Sequence, residues 1–246
     1  MASHVALTAV MVVMMLASSS QTINAAEIGE FDFYYLVLMW PGAYCEQSKG
    51  KCCMPKTGKP EIDFFVRGLW TADATTGSQV TRCNQTSFYV NELDGLSSEL
   101  AKYWSNIKCP SNNGVSNWKS TWKTYGICSG LDEPTYFNTV LNMRSKIELL
   151  NLLVGQGYGP SNTAYYRTSD IEAAISSVIG ARPVIRCSKD QSGEFQLYEV
   201  YVCVNKEATE VIECPSPPAF TCSDFIRFHP FTYDMLKVKL AMPASD

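Results

Sequence analysis

The 246-residue chain predicts an α+β fold crosslinked by disulfides, and three observations carry that expectation. Strand-like and helix-like apolar patterns follow one another without the regular alternation of a doubly wound sheet. Ten cysteines, an even number, all lie beyond an apolar leader, which makes a disulfide framework the default. Hydrophobic residues make up 46% of the chain, enough to fill a substantial core. No internal repeat or low-complexity linker divides it, so residues 27–246 are expected to form one domain.

Residues 1–26 contain no Lys, Arg, Asp or Glu and include an apolar run at 5–17, followed by small and polar residues up to Ala25 and Ala26. This is the pattern of a secretory signal peptide, too short and wrongly flanked for a membrane anchor. The mature chain is therefore expected in the vacuole or the extracellular space, with no membrane segment. Residues 31–40 are apolar or aromatic except for Asp32, which predicts a central strand that Pro41 and Gly42 end. Cys45, Cys52 and Cys53 then fall in a polar loop that runs to Pro60, and residues 64–70 read as a second strand carrying Arg67. Residues 71–82 read as a loop, and Asn84-Gln85-Thr86 is the one glycosylation acceptor.

Leu93, Leu96, Leu100, Tyr103 and Trp104 recur at helical intervals, predicting a helix over 92–107 with Trp104 inward, stopped by Cys109-Pro110. Trp118 and Trp122 are four apart and share one helix face, while Ser120 and Thr124 share another; the simplest role for the two tryptophans is core packing. Asp132-Glu133-Pro134 opens a longer helix that Gly155 and Gly157 close. Ser169 and Glu172 have the spacing of a capping box for a helix reaching Ile179, with Gly180 suited to the left-handed position after it. Residues 183–186 and 194–204 read as strands, 209–214 as a hairpin partner and 225–228 as a last short strand.

The net charge of −4, with no basic block, argues against a duplex nucleic-acid binder, although a protein that takes single strands can still be acidic. Cys52 and Cys53 are adjacent rather than at zinc-ligand spacing, and no histidine accompanies them, so neither a metal nor another cofactor is expected. Asp63 and the pair Asp132-Glu133 are the nearest approach to hard oxygen ligands, but Asp132-Glu133 has a simpler use at a helix start.

Two stretches carry a family resemblance: Phe64-Phe65-Val66-Arg67-Gly68-Leu69-Trp70, and the run from Asn117 through Trp118, Ser120, Thr121, Trp122, Thr124, Tyr125 and Gly126 to Cys128. Both resemble the active-site motifs of the ribonuclease T2 family, nearest the plant S-like ribonucleases. Further matches run through Phe31-Asp32-Phe33, Trp40-Pro41-Gly42, Cys52-Cys53, Gly58-Lys59-Pro60, Gln191-Ser192-Gly193, Gln196-Leu197-Tyr198 and Ile212-Glu213-Cys214-Pro215. The resemblance implies a central antiparallel sheet flanked by helices. It also implies bridges Cys45–Cys52, Cys53–Cys109, Cys83–Cys128, Cys187–Cys222 and Cys203–Cys214.

Where the family motifs carry histidine, glutamate and lysine, this chain has Arg67, Ser120, Thr121, Thr124 and Tyr125. The family's chemistry needs one imidazole to accept the ribose 2′-hydroxyl proton and another to protonate the leaving oxygen. Arginine offers no basic nitrogen, and a phenol with an ordinary pKa near 10 is a poor substitute. His229, beside Pro230, is the one histidine of the mature chain and is expected to be a surface or packing residue. The chain is therefore expected to be catalytically inactive, and its resemblance to the RNase-related storage proteins of plant vegetative organs implies a vegetative storage protein, with no obligate partner. Two rival readings remain: a module binding nucleotides or single-stranded RNA weakly through Trp40, Trp70, Trp118, Arg67, Lys119 and Lys123, and a defence-related protein.

Overall fold

The computed structural model describes residues 29–47, 52–83 and 86–238. The expected signal segment, the acceptor Asn84 and residues 239–246 lie outside these. Strand β1 (Phe33–Met39) is a run of seven buried residues, FYYLVLM, and a short helix α1 (Pro41–Gln47) follows it. Cys45 thus sits on a helix rather than in the expected loop, because Pro41 tolerates a helix's first turn and Gly42 packs against the backbone carbonyls of His229 and Pro230. Strand β2 (Phe65–Ala72) carries Arg67 and extends two residues past the expected end.

The helix expected over 92–107 divides into a 3₁₀ stretch, Val90–Leu96, and α2 (Ser97–Tyr103); Gly95, which disfavours helix by roughly 1 kcal/mol relative to Ala, lies at the junction. Trp104 is buried, as its spacing requires. Helix α3 (Val115–Thr124) puts Trp118 and Trp122 inward together. Asp132 caps α4 (Glu133–Ile147) by accepting from the Thr135 amide at 2.8 Å, with Pro134 in the first turn. That helix ends at Glu148, in a left-handed conformation, and α5 (Leu149–Gly155) resumes after it; the sequence pattern runs through this break without a signal.

Strand β3 (Tyr165–Arg167), three residues long, was not foreseen. Helix α6 (Thr168–Ile179) starts without the expected capping box: Ser169 faces Asp170, and Glu172 pairs with Arg182 at 2.8 Å. The chain is held there instead by Thr168, whose amide and hydroxyl bond the carbonyls of Asp224 and Ser223. Gly180 closes α6 at φ 78°. Strands β4 (Val184–Lys189), β5 (Phe195–Asn205) and β6 (Phe225–Arg227) complete the sheet. The expected strand at 209–214 reduces to one bridge, Val204 to Val211, because the Asn205 side chain binds the amides of Thr209 and Glu210 and curls the chain into a turn.

The sheet order is β2-β1-β5-β6-β3, with β4 also on β5, and every pairing is antiparallel except a single parallel contact between β5 and β6. β1 lies between β2 and β5. One of its faces, with Leu36 and Leu38, shares the main core with Tyr136, Phe137 and Val140 of α4. The other, with Phe33, Tyr35 and Val37, packs with Tyr201 and Cys203. Each large side chain so buried is worth about 1.5–3 kcal/mol, which explains why a strand of this composition takes the centre. Five bridges are formed: Cys45–Cys52, Cys53–Cys109, Cys83–Cys128, Cys187–Cys222 and Cys203–Cys214.

Candidate functional site

Arg67 is displaced from the regular ladder. Val37 of β1 pairs with Gly68 and Leu38 with Val66, so Arg67 is the extra residue of a β-bulge and its side chain is exposed although both chain neighbours are buried. Gly68 is required beside it, since a Cβ there would come within 2.5 Å of Trp70 Nε1 and 2.9 Å of Thr121 Cγ2. The buried Tyr136 hydroxyl fixes the next residue, donating to the Leu69 carbonyl at 2.8 Å.

Helix α3 forms the facing wall. Trp118 anchors it by donating from Nε1 to the Trp104 carbonyl at 3.0 Å, and Cys83–Cys128 ties the segment just beyond its end to the loop before residue 84. Between β2 and α3 lies a cavity of about 310 Å³ lined by Met39, Val66, Arg67, Trp70, Trp104, Ser105, Asn117, Ser120, Thr121, Thr124 and Tyr125. All five substituted motif positions therefore meet in one cleft.

Beneath it lies a charged group that sequence reasoning missed. Glu199 of β5 is 1% exposed; its Oε1 is 3.5 Å from Arg67 Nε, and its Oε2 is 2.9 Å from Arg186 Nη1 and accepts from the Tyr201 hydroxyl at 3.2 Å. A second bulge, between Arg186 and Cys187, lies beside this cluster. One carboxylate in the apolar stripe Phe195, Leu197, Tyr201 and Cys203 was the available signal. Burial raises the Tyr125 phenol, while Arg67 and Arg82 pull it back. Burial likewise raises Tyr198, and Glu199 adds to this against Arg67 and Arg186. The cleft thus presents one cation amid hydroxyls and an amide, with the Glu199 carboxylate behind the cation. Such a set can bind an anion through charge-assisted hydrogen bonds; its lining residues include no imidazole or carboxylate.

Several expected ligand contacts need correction. Trp40 is fully buried, with its Nε1 donating to the His229 carbonyl at 2.6 Å, and Trp118 is a core residue at 5% exposure, so neither presents a face for stacking. Trp70 does reach the cleft, but the Tyr125 ring lies stacked on it, 5.1 Å away and tilted by 17°. Lys119 and Lys123 are exposed on α3 and do not line the cavity. His229 is outside the cleft, its Nε2 3.2 Å from Asp190 Oδ2. Asp63 is taken up by a buried pair with Arg144, and Glu133 accepts from the Tyr89 amide at 3.0 Å. Among the described residues no cluster of three or more His, Cys, Asp or Glu is placed to hold a metal ion, and no helix is long and apolar enough to cross a membrane.

Residues 31–214 match the Ribonuclease T2 family. The chain is 40% identical to Ribonuclease 3 of Arabidopsis thaliana, over 82% of this chain and 91% of that protein. It is 36% identical to Extracellular ribonuclease LE of Solanum lycopersicum, over 94% and 100%. A crystal structure of RNase NT in complex with 5′-AMP superposes with a TM-score of 0.78 at 39% identity, covering 82% of this chain and all of that one. These likenesses overturn the expectation of a catalytically inactive storage protein, which rested on the missing imidazoles and on a resemblance to storage proteins. The likeness is stronger to proteins named as ribonucleases, one of them holding a nucleotide, than to the Ribonuclease-like storage protein of Panax ginseng, at 30% identity. By sequence match and by fold, the chain belongs to the ribonuclease T2 family.

Proposed function

We propose that this chain acts on single-stranded RNA, taking a nucleotide phosphate on Arg67 in the cleft between β2 and α3. One observation carries the reading: Arg67 stands at a bulge and lines the cavity, Glu199 lies 3.5 Å from its Nε, and among the described residues its Nη groups make no hydrogen bond. Those donors match phosphate oxygens in a fixed planar fork. Ser120, Thr121 and Thr124 offer hydroxyls opposite. The relatives named as ribonucleases and the 5′-AMP held by RNase NT support this direction.

Chemistry in this cleft rests on holding the phosphate and offsetting its developing charge with Arg67. General acid–base transfer is worth typically about 10²–10⁴-fold for each positioned group. Turnover is therefore expected below that of a histidine-bearing relative, and without a bell-shaped optimum between pH 5 and 8. Passage through the secretory pathway to the vacuole or the extracellular space belongs to the same proposal, supported by the apolar leader and the five bridges.

Calorimetric titration with 5′-AMP and short single-stranded RNA, run beside an RNA cleavage assay, tests the reading. Saturable, salt-sensitive binding is expected, and Arg67→Ala is expected to weaken it about 10- to 100-fold, the value of one or two charged hydrogen bonds. Equal affinity in wild type and Arg67→Ala refutes the assignment.

A further inference from the structure

The wall of the cleft formed by Trp70 and Tyr125 has a second cavity behind it. That cavity, of about 410 Å³, is lined by Tyr35, Gln79, Arg186, Tyr201 and Phe220 together with the same two stacked rings. The Tyr125 hydroxyl donates across to Gln79 Oε1 at 2.9 Å, which fastens the free end of the ring to the loop after β2. The backbone of Tyr125 is fixed as well: its amide bonds the Thr121 carbonyl, the Thr124 carbonyl accepts from the Arg82 amide, and Cys83–Cys128 closes the segment. Glu199 joins Arg67 of the first cavity to Arg186 of the second. Two cavities, each with its own cation, are thus separated by a partition of side chains.

We propose that Tyr125 makes the cleft a dead end, so that it selects a mononucleotide or the terminus of a single strand over a strand running through. The proposal rests on the reading that the cleft takes a nucleotide phosphate on Arg67. A sugar–phosphate chain continuing past Arg67 towards Arg186 meets the Trp70–Tyr125 stack. To pass, it has to break both the ring contact and the bond to Gln79, which together set a penalty of roughly tenfold or more in affinity.

The probes are 5′-AMP, a 5′-phosphorylated 2′-O-methyl oligoadenylate, which cannot be cleaved through its 2′-oxygen, and a circular single-stranded oligoadenylate of the same chemistry and length. In wild type the linear oligonucleotide is expected to bind within about threefold of 5′-AMP, and the circle at least tenfold more weakly. Tyr125→Ala is expected to raise the affinity of the circle relative to the linear strand about tenfold. Tyr125→Phe, which keeps the stack and loses only the bond to Gln79, is expected to raise it less, and it carries the test if Tyr125→Ala does not fold. A circle that binds wild type as tightly as the linear strand overturns the dead end, as does a ratio unchanged in Tyr125→Ala. Binding of neither 5′-AMP nor the linear strand overturns the phosphate assignment itself, and the dead end with it.

Discussion

Glu199 and Arg186 form a pair whose two halves are unequal, and removing either one is expected to have a different cost. The Glu199 side chain is 2% exposed, whereas that of Arg186 is 45% exposed. Replacing Arg186 with Met keeps much of the side chain's aliphatic length but removes the guanidinium that lies over Phe220 and strips the carboxylate of its 2.9 Å partner. The carboxylate remains buried, holding only the Tyr201 hydroxyl at 3.2 Å and Arg67 Nε at 3.5 Å. Loss of a partner to a buried charge costs about 3–5 kcal/mol when nothing else compensates, and the two remaining contacts bring the expectation to about 2–3 kcal/mol. Glu199→Gln keeps the shape and an acceptor oxygen while leaving two arginines that water already reaches, so about 1 kcal/mol is expected. Urea unfolding of both variants and of the double variant reads these values. The double variant should lie nearer Glu199→Gln than Arg186→Met, because the uncompensated charge is gone. Glu199→Gln proving the more damaging, or the two effects simply adding, would refute the account.

Gly68→Ala is expected to lower stability by about 2–3 kcal/mol in thermal or urea unfolding, since its Cβ would intrude between Trp70 and Thr121; a neutral outcome would show that β2 and α3 are less closely apposed. Replacing Cys83 and Cys128 together with Ala opens a loop of 45-residue separation and is expected to cost about 4 kcal/mol by chain entropy, read as a lower urea midpoint. Burial acts to raise the Asp190 carboxyl, but hydrogen bonds from the Ser192 hydroxyl and amide, the Glu194 amide and His229 outweigh it and hold the group below the usual carboxylate range. A depressed acid contributes stability that is present above its unfolded value, near 4, and lost as pH falls through the folded value. Melting curves from pH 2 to 6 should therefore fall more steeply in wild type than in Asp190→Asn; parallel curves would contradict this.

Much of the scaffold was legible because its signals are local. Seven consecutive apolar residues placed β1 at the centre, Asp132 and Pro134 announced α4, and the four-residue spacing of Trp118 and Trp122 gave α3 its buried face. The five substituted positions could be listed from the motifs, and the structure brings them to one cleft. What the sequence hid depends on register and on distant partners. Nothing near residue 67 announces a one-residue offset against Val37 and Leu38, nor that Glu199, more than a hundred residues away, lies beneath. Aromatic residues beside a motif looked like stacking surfaces, yet Trp40 and Trp118 had been claimed by the core and the Trp70 face by Tyr125. The functional expectation erred where it passed from missing imidazoles to a storage role. Chemical groups can be read from residue types; what a protein is for cannot be inferred from what it lacks.

The bulge at Arg67 separates two duties that a strand residue usually performs together. A side chain in a regular ladder is bound to its neighbours across the sheet, and exchanging it disturbs them. Position 67 has no opposite number in β1, so the sheet makes little demand on which residue stands there. A scaffold built this way can exchange the tool it presents while its framework stays put, as the arginine that stands here in place of the motif's histidine shows.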